Sequence, residues 1–477
     1  MSSSRDQIRA ALGKPPLNAP VATGPAATPT QAAVDEAFPP IRLGTEVIPR
    51  DILMRHLLIY GASGAGKTQA LQQVYRAVRK RDEPFIAVDH GGEMTQRIYR
   101  EGVDVILNPK DVRGAHFSPF FEIKSTTDFE NVADAMIQRQ SAADAFWEDM
   151  AKFVLACVLE ALWRLGPAFR TNEALLAYLV EGPQRGQDNK ESLEWLLART
   201  PAARFFDAGS ERMLSNILSM VARSVAPLKH YLGHTGEPFS ITDYALSWET
   251  PGACRRALLL TYTDANKAAL APLIAMQVRF FVQAALRLSE NDDRNGYLFL
   301  DELASLPPMV ILYDATEKLR KRGVAIIGGL QSNKQLERND RYGIDGAASL
   351  RSNFFSILAL GVADPHTAEE MSLTFGDVRA PETNRTDTYS EDSSSTSYAT
   401  SMKTERLLLP VQFMLLKPLE GYLRIGGRRE VVPLTGRHAI PYYKAPIVCP
   451  PEIARAETVL DLNAPWPGSD SPDPLTV

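Results

Sequence analysis

The chain has 477 residues, of which 45% are hydrophobic and 23% charged, a composition typical of a folded globular protein of two or three domains. This composition excludes a small disulfide-stabilised scaffold and a largely disordered chain. Lys and Arg number 52 against 57 Asp and Glu, a formal net charge of −5. No whole-protein positive field therefore attracts nucleic acid, and any nucleic-acid binding must be local.

The first elements along the chain are a polar leader and then a series of short apolar runs. Residues 1–40 are rich in Pro, Ala and Thr after a short stretch, 5–12, that could form a helix, which predicts a flexible leader. From residue 41 on, short β-branched runs alternate with longer amphipathic stretches, the pattern of an α/β fold with a mostly parallel sheet. The runs are 56–60, 85–89, 104–108, 257–263, 297–303, 323–330 and 353–361.

A long segment without strand signals interrupts this alternation. Residues 122–240 show helical spacing of Ala, Leu, Met and Trp and are too long for a loop, so we expect an inserted all-α domain. The α/β domain then comprises 41–121 and 241–445. Within it, the Ser/Thr-rich residues 382–404 predict a mobile excursion, and 446–477 form a C-terminal tail that is rich in Pro and Asp after 463.

Two further sequence features bear on the compartment. The most apolar regions, around 268–287 and 353–363, are interrupted by Arg279 or too short for a bilayer crossing, so we expect no membrane span. Three distant cysteines show no paired metal-ligand spacing, which predicts reduced thiols in a cytoplasmic protein. They are Cys157, Cys254 and Cys449.

The loop after the run 56–60 matches the phosphate-binding pattern G-x-x-x-x-G-K-[ST] in its required strand, loop and helix setting. This P-loop consists of Gly61, Ala62, Ser63, Gly64, Ala65, Gly66, Lys67 and Thr68. Phosphate oxygens approach the backbone N–H groups at the helix start, and side chains at the glycines would obstruct that approach. Lys67 supplies a positive charge, and Thr68 offers a hydroxyl to the Mg²⁺ that accompanies ATP. The alternative is a glycine-rich turn with a chance lysine.

Two adjacent carboxylates follow the apolar run 297–300. At the C-terminal end of a buried strand, Asp301 would hold Mg²⁺ and Glu302 would activate the attacking water. Adjacent carboxylates also occur at solvated strand ends, so the interpretation depends on the presence of the P-loop. Asp89, at the end of another run, is expected near the nucleotide, whereas its neighbour His90 fits an ordinary turn equally well.

Two more residues fit the chemistry of the γ-phosphate. Gln331 ends the run 323–330, where its amide would sense the γ-phosphate or position water; the alternative is a strand-end amide bonded to nearby backbone. Arg320 would reach the nucleotide of a neighbouring subunit as an arginine finger. Because almost every residue of 317–322 is charged, a solvated helix face is the alternative for Arg320.

Several short motifs in order resemble one family, the type IV secretion coupling proteins, which are hexameric ATPases of bacterial conjugation. The resemblance covers about 45–440 and includes the helical insertion. Its motifs are 59–67, the turn 89–94, Leu107-Asn108-Pro109, Phe117-Ser118-Pro119-Phe120, Leu300-Asp301-Glu302-Leu303-Ala304-Ser305-Leu306, Gly329-Leu330-Gln331-Ser332 and Met371-Ser372-Leu373-Thr374-Phe375-Gly376.

The resemblance implies a RecA-like P-loop domain with an all-α domain, and a catalytic set in which each residue has a named role. Lys67 and Thr68 correspond to the Walker A pair, Asp301 and Glu302 to the Walker B pair, Arg320 to the proposed arginine finger and Gln331 to the motif III glutamine. It also implies a homo-hexamer that pumps single-stranded DNA, or a relaxase–DNA complex, toward a type IV secretion channel.

One difference from the family concerns the N-terminus. Family members usually begin with a two-helix membrane anchor, whereas this sequence begins with the Pro/Ala-rich leader. The sequence favours a soluble variant, cytoplasmic and docked at the inner face of the membrane through a separate membrane partner. The alternative is that the anchor is missing from the chain.

Other functions remain open from the sequence. A double-stranded DNA translocase or packaging ATPase would share the P-loop and ring chemistry. A docking platform for protein substrates would use nucleotide only to hold the ring together. Local basic clusters that could contact DNA, or be solvated helix faces, are Lys318, Arg320, Lys321 and Arg322 on one side and Arg255 and Arg256 on the other.

Overall fold

A computed structural model provides the three-dimensional structure of the chain. It describes residues 39–137, 144–207, 209–390, 393–444 and 446–455. The expected leader, apart from its last two residues, and the tail beyond 455 lie outside the described residues, as does the possible helix at 5–12.

The described chain alternates strands and helices. The strands are β1 (Arg42–Leu43), β2 (Glu46–Val47), β3 (Leu57–Tyr60), β4 (Phe85–His90), β5 (Val105–Ile106), β6 (Ala257–Tyr262), β7 (Gly296–Leu300), β8 (Val324–Leu330), β9 (Ser356–Leu360), β10 (Asp377–Ser390), β11 (Ser393–Arg406), β12 (Gly421–Arg424) and β13 (Val431–Leu434). The α-helices are α1 (Arg50–Leu53), α2 (Lys67–Lys80), α3 (Thr95–Ile98), α4 (Asp128–Met136), α5 (Ala145–Leu165), α6 (Asn172–Leu176), α7 (Leu193–Leu197), α8 (Glu211–Val225), α9 (Ile241–Leu246), α10 (Lys267–Leu286), α11 (Ile311–Lys318), α12 (Asn333–Glu337), α13 (Gly343–Ser352), α14 (Pro365–Phe375) and α15 (Pro410–Met414).

Chain packing divides the protein into two compact units. The larger unit contains Val78–Ile327 and the described residues from Lys444 on, and the smaller unit contains Pro40–Ala77 and Gly328–Tyr443. Strand β8 and helix α2 each begin in one unit and end in the other. The domain bounds expected from the sequence, 41–121, 122–240 and 241–445, stay a prediction.

Each unit has a sheet built around parallel strands. In the larger unit the order is β7-β4-β6-β5, with parallel pairing throughout. In the smaller unit the order is β13-β12-β9-β3, in which β9 and β3 are parallel and β12 pairs antiparallel with both of its neighbours. The strands β3, β6, β7, β8 and β9 are buried along their whole length, which explains why they are near-continuous apolar runs in the sequence.

The seven strands expected from apolar runs are confirmed, with ends that shift by a few residues. The short strands β12 and β13 were not expected, because four residues of mixed polarity give little periodic signal. The largest correction concerns 382–404, expected to be a mobile excursion. Strands β10 and β11 instead form an antiparallel ribbon that pairs Asp377 with Arg406 at one end and Ser390 with Ser393 at the other.

The segment expected to be helical is confirmed as helical in the larger unit. It contains helices α4–α8, several short 3-10 helices and the π-helical turn Ala177–Glu181. Helix α5, with 21 residues, is the longest α-helix of the described chain. It packs on α4 and α8 and buries the free thiol of Cys157. Cys254 is also free and buried, and Cys449 is free and half-buried.

Helix α10 is the most apolar helix among the described residues and is long enough to cross a membrane. Most of it is buried in the protein core, the arrangement also found in core helices of soluble proteins. Arg279 lies inside this helix and is nearly fully buried, and burial lowers its pKa to about 10. Its guanidinium donates to the carbonyl oxygens of Ala135 and Met136, so it fastens α10 to the end of α4.

The described part of the C-terminal segment packs along the larger unit. The Val112 N–H donates to the Ile453 oxygen at 3.0 Å, and the Val448 N–H donates to the Gln96 oxygen at 2.7 Å. The side-chain amide of Asn108 donates to Glu452 at 2.7 Å. Residues 446–455 are therefore packed as part of the larger unit.

Candidate nucleotide-binding site

The P-loop connects β3 to α2 inside the smaller unit. The Gly61 N–H donates to the Leu330 oxygen at 3.1 Å, and the Ala62 N–H donates to the Gly361 oxygen at 2.8 Å. These two bonds attach the start of the loop to the residues at the ends of β8 and β9. The loop thus leaves the C-terminal edge of a parallel sheet, the place where α/β folds bind ligands.

Two glycines shape the loop. Gly64 and Gly66 have φ angles of +78° and +108°, in the region that favours glycine. A Cβ atom on Gly66 would lie 2.7 Å from a methyl carbon of Leu419, and the Leu419 N–H donates to the Ala65 oxygen at 2.8 Å. Space around Gly64 is open. The loop is therefore held from one side by Leu419, with Gly64 facing open space.

Helix α2 begins at Lys67, so Lys67 and Thr68 are its first two residues. The first N–H groups of an α-helix have no acceptor inside the helix and carry a partial positive charge. No acidic residue lies in the first turn of α2, so no carboxylate of that turn competes for these donors. The arrangement fits the phosphate groups of a nucleotide, as the sequence predicts.

Gln331 is brought next to the start of the P-loop by the same strand edge. It follows Leu330, the last residue of β8, whose carbonyl accepts the bond from Gly61. The next residue, Ser332, has its hydroxyl 3.2 Å from the hydroxyl of Thr367 and 3.3 Å from a carboxylate oxygen of Asp364. The smaller unit therefore groups Gln331 with the P-loop.

The two adjacent acids lie in the larger unit, directly after β7. The Asp301 N–H donates to the Val88 oxygen at 3.4 Å, which places the end of β7 beside the end of β4. The Ser305 hydroxyl donates to the Glu302 carbonyl at 2.8 Å and lies 2.6 Å from the Tyr262 hydroxyl. Burial, together with the charges of Asp301 and Glu302, raises the pKa of Tyr262 to about 12. Tyr262 therefore stays neutral and holds the turn through Ser305.

Asp89, expected near the nucleotide, uses its carboxylate within its own turn. It accepts hydrogen bonds from the N–H groups of Met94 at 3.1 Å and Thr95 at 2.6 Å. Burial raises its pKa to about 6, an effect that these bonds partly offset. His90 stacks on Tyr262 and bonds to Asp264 at 2.8 Å. Asp89 thus caps the start of α3, while His90 is the last residue of β4. The place of Asp89 near the nucleotide stays a prediction.

Comparisons with known proteins identify the family. Residues 40–435 match the family described as the type IV secretion-system coupling protein DNA-binding domain. The chain belongs to this family.

Relatives of known sequence and structure agree with that assignment. The chain is 29% identical over 314 residues to the coupling protein TraD of Escherichia coli strain K12, a match that covers 65% of this chain and 42% of TraD. The chain thus matches about two fifths of that relative's length. The unbound structure of the conjugative coupling protein TrwBdeltaN70 has 27% identity and a TM-score of 0.73, covering 87% of this chain and 91% of that one.

A second TrwB structure contains ADP and Mg²⁺ and has 26% identity and a TM-score of 0.73 over 87% of this chain and 91% of that one. The fold is therefore that of TrwB, with a large, mostly parallel sheet and a helical region. This confirms the expected fold class, a RecA-like α/β domain with additional helices.

The basic cluster of the coupling-protein chain separates into two kinds of residue. Lys318 forms an ion pair with Asp314 at 2.8 Å, and Arg322 donates to the Leu288 carbonyl. Arg320 and Lys321 lie in the 3-10 helix Leu319–Arg322 with exposed side chains. Lys318, Arg320 and Lys321 are therefore the exposed members of this cluster, and the arginine-finger role of Arg320 stays a prediction.

The second basic pair, Arg255 and Arg256, lies just before β6 and contributes backbone groups to the fold. The Arg255 carbonyl accepts from Arg100 at 2.6 Å, and the Arg256 carbonyl accepts from Tyr244 at 2.9 Å. Arg256 is exposed and Arg255 half-buried. A role of this pair in DNA contact stays a prediction.

Leu419 is the residue at the P-loop that sequence reasoning missed. It packs against Gly66 and has a φ angle of +70°, unusual for leucine. Leu419 lies about 350 residues from the loop in sequence, so no local spacing connects the two. The positive φ angle of Leu419 indicates that the loop after α15 adopts an unusual conformation where it packs against the P-loop.

Proposed function

We propose that this chain is an ATP-driven coupling protein that recruits a relaxase–DNA complex and moves single-stranded DNA toward a type IV secretion channel. The observation that carries the proposal is the P-loop, whose Gly64 and Gly66 adopt left-handed conformations immediately before a helix that begins at Lys67. Membership of a coupling-protein family described by its DNA-binding domain supports the DNA substrate. Structures of TrwB with ADP and Mg²⁺, and with an ATP analogue, support the nucleotide and the metal.

Each proposed catalytic residue has a defined task. The N–H groups of 61–68 and the Lys67 ammonium bind the phosphates. Thr68 and Asp301 would hold Mg²⁺, which would supply neutralisation of the phosphate charge. Glu302 accepts a proton from the attacking water, and Gln331 orients that water.

Arg320 completes the site in a ring of subunits, the homo-hexamer of the proposal. A guanidinium that enters a neighbouring subunit's site stabilises the negative charge that develops on the transferred phosphoryl group. The exposure of Arg320 supports this role, because a side chain committed to its own subunit would not be available to another. Movement of DNA through such a ring depends on contacts between the protein and the phosphate backbone of the DNA. Such contacts are independent of base sequence and sensitive to salt.

ATP hydrolysis with and without single-stranded DNA tests the proposal. The Lys67→Ala variant should lose turnover by about 100-fold or more, because the phosphates lose their fixed positive charge. Lys80→Ala is the matched control: it removes the same charge from the exposed end of the same helix and should stay within about twofold of the unmodified protein. Unchanged turnover in Lys67→Ala would contradict the proposed function.

The same assay separates the rival functions when the mass in solution is also measured. Stimulation by single-stranded DNA supports the coupling function, whereas stimulation by duplex DNA alone supports a double-stranded DNA translocase. Binding of a relaxase without any DNA-stimulated hydrolysis supports a docking platform.

A second prediction concerns the arginine finger. Arg320→Ala should lower turnover by about 1,000-fold while nucleotide binding is retained. Lys321→Ala, which removes the adjacent exposed charge, should leave turnover in the absence of DNA within about twofold. Mixing Arg320→Ala subunits with Glu302→Gln subunits should restore part of the activity, since some interfaces then combine an intact finger with an intact acid. No recovery in mixed rings would argue against a shared site.

A further inference from the structure

Three side chains with metal-binding atoms meet in the smaller unit. Glu337 is the last residue of α12, and His366 and Glu370 lie on α14. One ligand atom from each of the three lies within 4.8 Å of the others. His366 and Glu370 are four residues apart, so they project from the same face of their helix.

We propose that Glu337, His366 and Glu370 bind a divalent transition-metal ion, with Zn²⁺ as the ion that fits best. One imidazole nitrogen and two carboxylate oxygens form a mixed donor set that suits Zn²⁺, with a water completing a four-coordinate site. Mg²⁺ prefers oxygen ligands alone and so suits this set less well.

Arg351 supports the two carboxylates from one side. Its guanidinium lies 2.9 Å from Oε1 of Glu337 and 3.5 Å from Oε1 of Glu370. One guanidinium and two carboxylates together carry a net charge of about −1, which favours a cation. Groups that bond to metal ligands in this way commonly fix the ligand orientation.

An independent observation comes from Asn333. This residue is fully buried, and its side-chain nitrogen contacts Oε2 of Glu370. Its side-chain oxygen is also buried and accepts no hydrogen bond from the described residues. The amide nitrogen therefore holds the Glu370 carboxylate from a second side, in addition to Arg351, which fixes the orientation of this ligand.

The proposed metal would join two helices close to the nucleotide-sensing strand end. Helix α12 begins at Asn333, two residues after Gln331. Lys334 already pairs with Asp364, just before α14, at 3.3 Å, and the Asn333 N–H donates to the Thr367 hydroxyl at 3.2 Å. A metal held by α12 and α14 would add a further connection at the same place.

Zinc binding by the full chain, stripped of metal with a chelator and kept in excess Mg²⁺, tests the proposal. We expect one Zn²⁺ per chain by calorimetry and a Zn²⁺-dependent rise in melting temperature. His366→Ala removes an exposed ligand, so the variant should fold normally and should bind Zn²⁺ at least about tenfold more weakly. Co²⁺ in place of Zn²⁺ should show the visible absorption of a four-coordinate site only in the unmodified chain.

The matched control is His438→Ala, which removes another histidine of the smaller unit that bonds to Thr45 at 2.8 Å. This variant should bind Zn²⁺ as the unmodified chain does. Absence of stoichiometric Zn²⁺ binding by the unmodified chain would overturn the proposal. Equal affinity in His366→Ala would also overturn it, even if another site binds zinc. Neither result depends on ATP hydrolysis, so the test is independent of the proposed function.

Discussion

The P-loop and the turn that follows β4 begin in the same way and end differently. Each follows a buried parallel strand and contains two glycines with positive φ, Gly64 and Gly66 in one and Gly91 and Gly92 in the other. Each then enters a helix. In the turn after β4, Asp89 occupies the N–H groups at the start of a four-residue helix. The P-loop instead precedes a 14-residue helix that begins at Lys67.

The difference shows what makes a glycine-rich turn a phosphate site. Glycine conformation is common to both turns, so it cannot be the deciding feature. In the turn after β4 the protein's own carboxylate fills the N–H groups at the helix start, and a phosphate site needs such groups to face a ligand. The turn after β4 therefore satisfies its own donors, whereas the P-loop keeps the spacing that is typical of a phosphate site.

The largest expected effect is a loss of nucleotide affinity when a methyl group is added to the P-loop, and the same change in the turn after β4 serves as the control. Gly66→Ala should weaken binding of a fluorescent ATP analogue by about 100-fold, because the new Cβ would lie 2.7 Å from a Leu419 methyl and the φ angle is unfavourable. Gly91→Ala has the same φ problem but open space around the new atom, so it should cost about 1 kcal/mol of stability and leave nucleotide affinity within about twofold. Equal losses of affinity in the two variants would show that the loops are not distinct.

A smaller effect is expected from removing the carboxylate of the turn after β4. Asp89→Ala leaves the buried N–H groups of Met94 and Thr95 without their acceptor, which should lower the free energy of unfolding by about 2 kcal/mol. Urea denaturation at neutral pH measures this loss. A variant as stable as the unmodified chain would mean that Asp89 does not hold the turn.

The pH dependence of stability should be smaller still and has a defined sign. The pKa of Asp89 is about 6 in the folded protein against an ordinary 3.8, so the folded state binds more protons between these values. Asp89 therefore contributes most stability at low pH, and this contribution declines as pH rises through the folded pKa. Between pH 5 and pH 7 the decline should be about 1 kcal/mol. When the Asp89→Asn variant and the unmodified chain are compared by urea titration, the variant should lack this pH-dependent part of the stability. An identical pH profile in the two proteins would contradict the role of Asp89.

Local sequence patterns predicted the parts of the fold whose signal lies within a few residues. The buried strands are apolar runs, and the P-loop has its required spacing, so both were predictable. The contact of Leu419 with Gly66 was not, because it joins residues distant in sequence. The ribbon of β10 and β11 was missed because its described side chains are mainly polar and exposed, so its strands lack the buried apolar alternation that marks a strand in sequence. Asp89 was expected at a strand end near the nucleotide, whereas its two N–H partners, Met94 and Thr95, could be identified only from the structure.

The most direct test of the central claim is a crystal structure of the chain with a non-hydrolysable ATP analogue and Mg²⁺. The account predicts the β- and γ-phosphates against the N–H groups of 64–68, with the Lys67 ammonium in contact with them. A bound analogue located elsewhere, with the P-loop empty, would contradict the account.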